Sequence, residues 1–148
     1  ADFIGKTPAP ISVEKGHYFQ GKQGKMFWNK LIEYDILSIR TRTYEDENLI
    51  ENNYGITDIV KEPKPFGLEP TNEEYQSGLK KIEKIIEKYK ADVIVFVYKK
   101  VLDNILKMRF NFTSKSNYGM NSNLDDLLGA KVFVFPMPGT PCSKQQLI

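Results

Sequence analysis

The residues with the clearest capacity for chemistry lie between Gly5 and Leu31, in the stretch GKTPAPISVEKGHYFQGKQGKMFWNKL. Thr7 supplies a hydroxyl. It lies in a predicted turn, because Pro8 and Pro10 exclude both a continuing central strand and an immediate helix. A lysine, a glycine and three ring side chains then follow from 15 to 19. A stiff turn beside a basic, aromatic, glycine-rich loop is typical of the mouth of a pocket for a flat ligand attached to phosphates.

The charges of the chain are unevenly distributed. The net charge of +2 is too small to indicate nucleic-acid binding by itself. Residues 6–30, however, carry five lysines and His17 against the single acid Glu14, whereas residues 44–58 carry five acids and no base. The lysine-rich segment is therefore either an ordinary solvated face or a surface that contacts phosphates.

Length and composition indicate one domain, covering residues 1–148, and the order of its predicted elements, given below, indicates the α/β class. A chain of 148 residues with 41% hydrophobic and 27% charged content can bury a sizeable core. It has no apolar run of about 18 residues, and its one cysteine, Cys142, excludes a disulfide framework and a four-cysteine metal site. We expect an intracellular protein. We also expect both ends to be clipped, because residues 1–4 are short for a strand and a helix capped by Ser143 would stop at Ile148.

Periodicity and capping signals predict the elements that position these residues. A capping box at Thr71–Glu74 opens the clearest helix, and an uninterrupted apolar run at 93–97 is typical of a strand covered on both faces. Before the capping box we predict a helix at 24–34, a loop or short helix at 36–53 and a strand at 55–60; after it we predict a helix to Lys90, the strand at 93–97, a helix at 99–107, a loop or weak hairpin at 110–123 and a strand at 131–135. The helix at 24–34 is predicted to bury Phe27, Trp28, Leu31 and Ile32. The helix to Lys90 is predicted to bury Leu79, Ile82, Ile85, Ile86 and Tyr89.

The alternation of helices and buried strands predicts a three-layer sandwich, with a central, mostly parallel sheet and helices on both faces. In such sheets, ligands bind at the carboxyl ends of the strands. The loops that follow the first and the last strand should therefore meet at one site.

Five segments, in the order GKTPAP, KGHYFQG, FWNKL, YGITDIV and VFPMPG, carry a resemblance over nearly the whole chain. Together they resemble the mismatch-specific thymine/uracil-DNA glycosylases of the uracil-DNA glycosylase superfamily. In that family the first turn reads glycine, any residue, asparagine, proline. The resemblance implies an enzyme that extrudes a base from duplex DNA and hydrolyses its glycosidic bond without a metal or an organic cofactor.

The family's roles can be carried over to matching positions. Thr7 stands at the water-holding position, where the family has its catalytic asparagine, and Lys6 and Pro8 flank it. Phe19 matches the aromatic residue that stacks on the flipped base, with Tyr18 as the alternative. Core packing is an equally good interpretation of Phe19.

Asp58 matches a polar position that faces the family's pocket, and we predict a catalytic role for it; a strand-end or helix-capping carboxylate is the alternative. His17 is predicted to be structural. Met137, Pro138 and Gly139 resemble the start of the family's second motif, which presses into the DNA minor groove. The wedge residue could be Pro141, Ser143 or Lys144, and the predicted phosphate contacts are Lys6, Lys15, Lys22 and Lys25.

The predicted function is therefore that of a monomeric DNA glycosylase for uracil or thymine opposite guanine, with hypoxanthine as a further candidate base. The main alternative is a catalytically silent relative that binds damaged DNA, and a small-molecule binding domain of the same fold is the third. A phosphate-binding P-loop at Gly5-Lys6-Thr7 is rejected, since Pro10 and Gly16 are expected to leave no helix there.

Overall fold

The computed structural model describes residues 1–65 and 68–137, and of Asp126 only the backbone. The strands are β1 (Asp2–Gly5), β2 (Gly55–Asp58), β3 (Val93–Phe96), β4 (Gly119–Met120) and β5 (Lys131–Val134). The helices are α1 (Pro10–Lys15), α2 (Lys22–Glu33), α3 (Asn72–Tyr89), α4 (Lys99–Phe110) and α5 (Asp125–Leu128). Short 3₁₀ helices lie at Glu45–Asn48, Ile50–Asn52 and Ser122–Leu124. None of the helices in the described ranges has the length and apolar character needed to cross a membrane.

The strands form one sheet in the order β2-β1-β3-β5-β4. All pairings are parallel except that of β4 with β5, so the sheet is mostly parallel as predicted. The weak hairpin expected between 110 and 123 is present only as the two-residue β4. Strand β1 lies between β2 and β3, and its last residue, Gly5, is in register with Asp58.

Apolar side chains alternate between the two faces of the sheet and build two cores. Phe3 and Val95 point to the core that α2 covers, whereas Ile4 and Ile94 point to the core that α3, α4 and α5 cover. This alternation follows from the two-residue period of a strand. The predicted three-layer sandwich is confirmed.

Two predictions about the first residues were wrong. Residues 1–4 were considered short for a strand, but β1 is hydrogen-bonded on both sides, which stabilises a strand of only four residues. Helix α1 forms although none was expected between Pro10 and Gly16. A proline is well suited to the first turn of a helix, where its missing N–H is not needed, and Gly16 ends the helix with φ 71°. The P-loop is still excluded, because Gly5 ends β1 and Thr7 lies before α1, not within it.

The structure confirms most of the predicted helices but not every predicted burial. Thr71 and Glu74 make the reciprocal hydrogen bonds of a capping box, at 3.2 and 3.0 Å. Ile32 and Tyr89 were predicted to be buried, but they are 41% and 68% exposed. Ile32 lies at the edge of the stripe that faces the sheet and Tyr89 is the last residue of α3, so neither has a partner layer above it.

Helix α3 approaches the end of β2 closely at Gly78, where an added Cβ atom would overlap the carbonyl oxygen of Ile59. Alanine is the better helix former by about 1 kcal/mol, but forcing an atom into a packed contact costs about 1–3 kcal/mol and backbone cannot move aside cheaply. We therefore expect Gly78→Ala to lower the free energy of unfolding in urea. Ser77→Ala on the exposed side of the same turn is the control and should change it by less than about 0.5 kcal/mol. A Gly78→Ala variant as stable as the wild type would contradict the close packing.

Candidate active site

The order of the strands defines a switch point between β1 and β3. The chain leaves β1 toward β2 on one side, and it leaves β3 toward β5 on the other. In open parallel sheets the crevice at this point, at the carboxyl ends of the strands, is where ligands bind. The turn that contains Thr7 follows β1 here, and Tyr98 follows β3.

Gly5 brings two of the predicted site residues together. Asp58 is 4% exposed, and its Oδ1 atom has no hydrogen-bond partner among the described residues. A Cβ atom on Gly5 would overlap this oxygen and would lie 2.6 Å from the ring of Phe19. The carboxyl group of Asp58 and the ring of Phe19 therefore both lie against Gly5, which has no side chain.

The burial of Asp58 changes its acidity. Removal from water raises the pKa of this carboxyl group from 3.8 to about 6, and the nearby positive charge of Lys61 opposes the change. Burial, together with the charge of Asp58, also raises the pKa of the Tyr98 phenol. Tyr98 thus lies close to Asp58, and we missed it in the sequence. Its position just after the most apolar strand, at a switch point of the sheet, could have identified it as a site residue.

The backbone of Phe19 is held in a left-handed conformation, with φ 56°. This conformation is unusual for a bulky residue and costs free energy. The indole N–H of Trp28 donates to the carbonyl oxygens of Tyr18 and Phe19 at 3.2 and 3.1 Å. On the other side, Asp46 accepts the N–H of Tyr18 at 2.8 Å. Gly24 allows α2 to lie against the Phe19 carbonyl, since a Cβ there would be 2.5 Å from it.

The acidic segment at 44–48 folds onto the basic loop. His17 Nδ1 lies 2.8 Å from Asp46 Oδ1, and the ring of His17 stacks on Tyr44 with 3.8 Å between centroids. A carboxylate can only accept, so Nδ1 carries the hydrogen. Lys25 pairs with Glu45 at 3.0 Å. His17 is therefore engaged in holding the loop. The sequence could not reveal this pairing, because the partners are 20 to 29 residues apart.

The predicted site residues differ in how far the structure brings them together. Thr7 and Pro8 are half-buried in the turn after β1, and the Thr7 hydroxyl has no hydrogen-bond partner within 1–65 and 68–137. The hydroxyl of Tyr18 lies on the outer side of the loop and accepts from Lys61 at 2.8 Å. Phe19 is only 9% exposed and packs in the α2 core. Met137 is half-buried against the same core.

The predicted DNA contacts fall into three groups. Lys6 and Lys25 form ion pairs with glutamates. Lys15 and Lys22 are exposed and make no ion pair with any described residue. Pro138, Gly139, Pro141, Ser143 and Lys144 lie outside the described residues.

Two cavities lie away from this edge of the sheet. One, of about 600 Å³, lies at the opposite edge between the end of α3 and Gly129. The other, of about 230 Å³, is lined by aromatic and aliphatic side chains on the sheet face that α2 covers. At the switch point, Phe19 and Asp58 both lie against Gly5. In the described part of the chain, no three His, Cys, Asp or Glu side chains come together as metal ligands.

Comparison with known proteins agrees with this geometry. The family model of the uracil DNA glycosylase superfamily matches residues 3–140. The chain belongs to this superfamily. A G/U mismatch-specific uracil DNA glycosylase of Schizosaccharomyces pombe is 28% identical over 99 residues. That match covers 66% of this chain but 30% of the relative, so the chain corresponds to less than a third of that protein. The superfamily fold predicted from the five sequence segments is confirmed.

The raised pKa of Asp58 predicts a specific pH dependence of stability. Its carboxyl group binds a proton more tightly in the folded state, so its contribution to stability falls as the pH rises from about 4 to about 6 and stays low above that range. Asp58→Asn cannot ionise and should therefore gain stability over the wild type across this window, by about 1–3 kcal/mol at pH 7.5. Urea unfolding at several pH values measures the difference. The exposed Asp92→Asn is the matched control; an Asp58→Asn difference that does not change with pH would show that Asp58 is not buried as a carboxyl group.

Proposed function

We propose that this chain is a DNA glycosylase that hydrolyses the bond between deoxyribose and uracil or thymine opposite guanine, with hypoxanthine as a further candidate base. The observation that carries the proposal is the buried carboxyl group of Asp58, whose Oδ1 has no hydrogen-bond partner among the described residues, at the switch point of a superfamily member and beside the turn that holds Thr7. We further propose that it acts as a monomer on DNA inside the cell.

The proposed reaction starts with extrusion of the base, which costs a few kcal/mol of stacking and pairing. The C1′–N bond then breaks toward an oxocarbenium-like sugar, and a water oxygen bonds to C1′ while the base leaves with the bonding electron pair. The Thr7 hydroxyl orients the water. The Asp58 carboxylate opposes the positive charge on the sugar and accepts the proton of the water, and its burial strengthens this field.

Threonine cannot replace asparagine fully. An asparagine side chain offers an amide oxygen on a longer arm, whereas the threonine hydroxyl lies close to the backbone. The hydroxyl can orient water, but it is neutral and does not oppose the positive charge on the sugar. This difference supports a larger share of catalysis by Asp58 in this chain. It also supports the second candidate, a damage-binding relative with weak or absent excision, because Asp58 is only 4% exposed.

Single-turnover excision separates these two functions. We expect the wild type to release uracil from U·G duplexes, detected as strand cleavage after alkali, with T·G, hypoxanthine·T and U·A duplexes compared in parallel. Asp58→Asn should lower the rate by about 10²-fold or more, since it removes a general base and a counter-charge. The wild-type rate should rise with pH through about 6 as Asp58 ionises.

Thr7→Asn is made separately as the partner variant. If Asp58→Asn keeps the full rate while Thr7→Asn raises it strongly, Asp58 has no catalytic role. The native chain is then a weakened enzyme or a damage-binding protein.

The proposed DNA binding should depend on salt, because lysines that contact phosphates release counterions. Lys15 and Lys22 form no ion pair within the described part of the chain, while Lys25 is paired with Glu45. Replacing Lys15 or Lys22 by glutamine should therefore reduce the slope of log affinity against log salt by up to about 0.9 each. Lys25→Gln should reduce it less. Fluorescence anisotropy between low and physiological salt measures the slopes, and affinity that does not respond to salt would overturn this part of the proposal.

A further inference from the structure

Two lysines from opposite sides of the switch point converge on one carboxylate oxygen. Lys6, in the turn after β1, places its Nζ 2.5 Å from Oε1 of Glu69. Lys100, in the first turn of α4 after β3, places its Nζ 3.1 Å from the same oxygen. The two ammonium groups must therefore lie close to each other, although like charges repel.

Glu69 is held in this position by further contacts. Its other oxygen, Oε2, accepts from the hydroxyl of Tyr75 at 3.3 Å, and Asn104 donates to that hydroxyl at 3.3 Å. Burial by itself raises the pKa of Glu69, but the hydrogen bonds from Lys6 and Lys100 outweigh it, so the pKa is lowered. Glu69 is thus ionised at neutral pH.

The charges in this cluster do not balance. One carboxylate faces two ammonium groups, and no second acid within the described ranges forms an ion pair with Lys6 or Lys100. Lys99, the neighbour of Lys100, differs: it pairs with Asp103 at 2.9 Å and lies over the ring of Tyr118. Lys100 is also the more accessible of the pair, with 67% of its side chain exposed against 25% for Lys6.

A phosphodiester fits this arrangement. It carries one negative charge, like Glu69, and its two non-bridging oxygens can accept from two ammonium groups that approach from different sides. Since Lys6 directly precedes Thr7, a phosphate bound here would belong to the strand that enters the proposed catalytic turn.

We propose that Lys6 and Lys100 together bind one backbone phosphate of the DNA, and that Glu69 occupies this position in the DNA-free protein. The inference rests on the proposed function for the identity of the polyanion, and it adds Lys100 as a contact and Glu69 as an internal competitor. DNA must displace the Glu69 carboxylate, so Glu69 lowers the affinity of the protein for DNA. It also keeps the two lysines close together before DNA arrives.

The test uses fluorescence anisotropy with a labelled duplex that carries a tetrahydrofuran abasic site opposite guanine, which the protein cannot cleave. Lys100→Gln should weaken binding about 5- to 10-fold and reduce the salt slope by about 0.9, the value for one lost phosphate contact. Glu69→Gln should tighten binding several-fold. This gain should shrink when Lys100→Gln is also present, because the competitor then has one partner fewer. Lys84→Gln and Glu87→Gln on the exposed side of α3 are the charge-matched controls and should leave both quantities unchanged.

Thermal unfolding of each variant verifies that the fold is retained. The proposal is overturned if Lys100→Gln leaves the affinity and the salt slope unchanged, if Glu69→Gln weakens binding, or if the wild type does not bind the duplex at all. Excision of uracil by the same proteins keeps the two proposals apart. If the proteins excise uracil but binding does not change as expected, the phosphate site is wrong and the glycosylase function stands. If binding changes as expected but no uracil is excised, the glycosylase function is wrong and the phosphate site stands.

Discussion

The left-handed backbone of Phe19 is the constraint on which the site depends. Such a conformation costs roughly 1–3 kcal/mol for a residue other than glycine, and it persists only where the surroundings hold it. Here the indole of Trp28 donates to the carbonyl groups of Tyr18 and Phe19, the carboxylate of Asp46 accepts the N–H of Tyr18, and Gly24 lets α2 pack directly against the Phe19 carbonyl. As a result the ring of Phe19 turns inward over Gly5. Helix α2, the acidic segment and the central strand thereby fix one loop at the switch point.

The whole chain is nearly neutral, with a net charge of +2, but two lysines share one glutamate at this edge of the sheet. Acidic groups pair with the lysines that would otherwise face solvent: Glu45 with Lys25, and Glu69 with both Lys6 and Lys100. An ion pair keeps the side chain of its lysine in place. The pair must open before that lysine can contact a phosphate. Salt screens exposed charges more strongly than the partly buried pairs Lys6–Glu69 and Lys25–Glu45.

The burial of Asp58 lowers the stability of the fold at neutral pH, although a buried carboxylate is suited to catalysis. Oδ1 of Asp58 is buried without a hydrogen-bond partner among the described residues, so the carboxylate destabilises the fold once it is ionised; polar groups of this kind are concentrated at functional sites. The turn beside it carries threonine where asparagine is characteristic of the family it resembles. In the function that we propose, the Thr7 hydroxyl positions the water and the Asp58 carboxylate stabilises the charge on the sugar.

The sequence by itself determined the elements whose signals are local. The capping box at Thr71, the apolar run of β3 and the ordered motifs of the superfamily each depend on neighbouring residues, so the layers of the sandwich followed from them. Only the tertiary structure decided which groups face one another. The contact of His17 with Asp46 spans 29 residues and that of Lys6 with Glu69 spans 63, and no spacing rule relates such positions. The Lys6–Glu69 pairing depends on strand order, because β1 and β2 are parallel neighbours and the segments that follow them leave the sheet at the same edge.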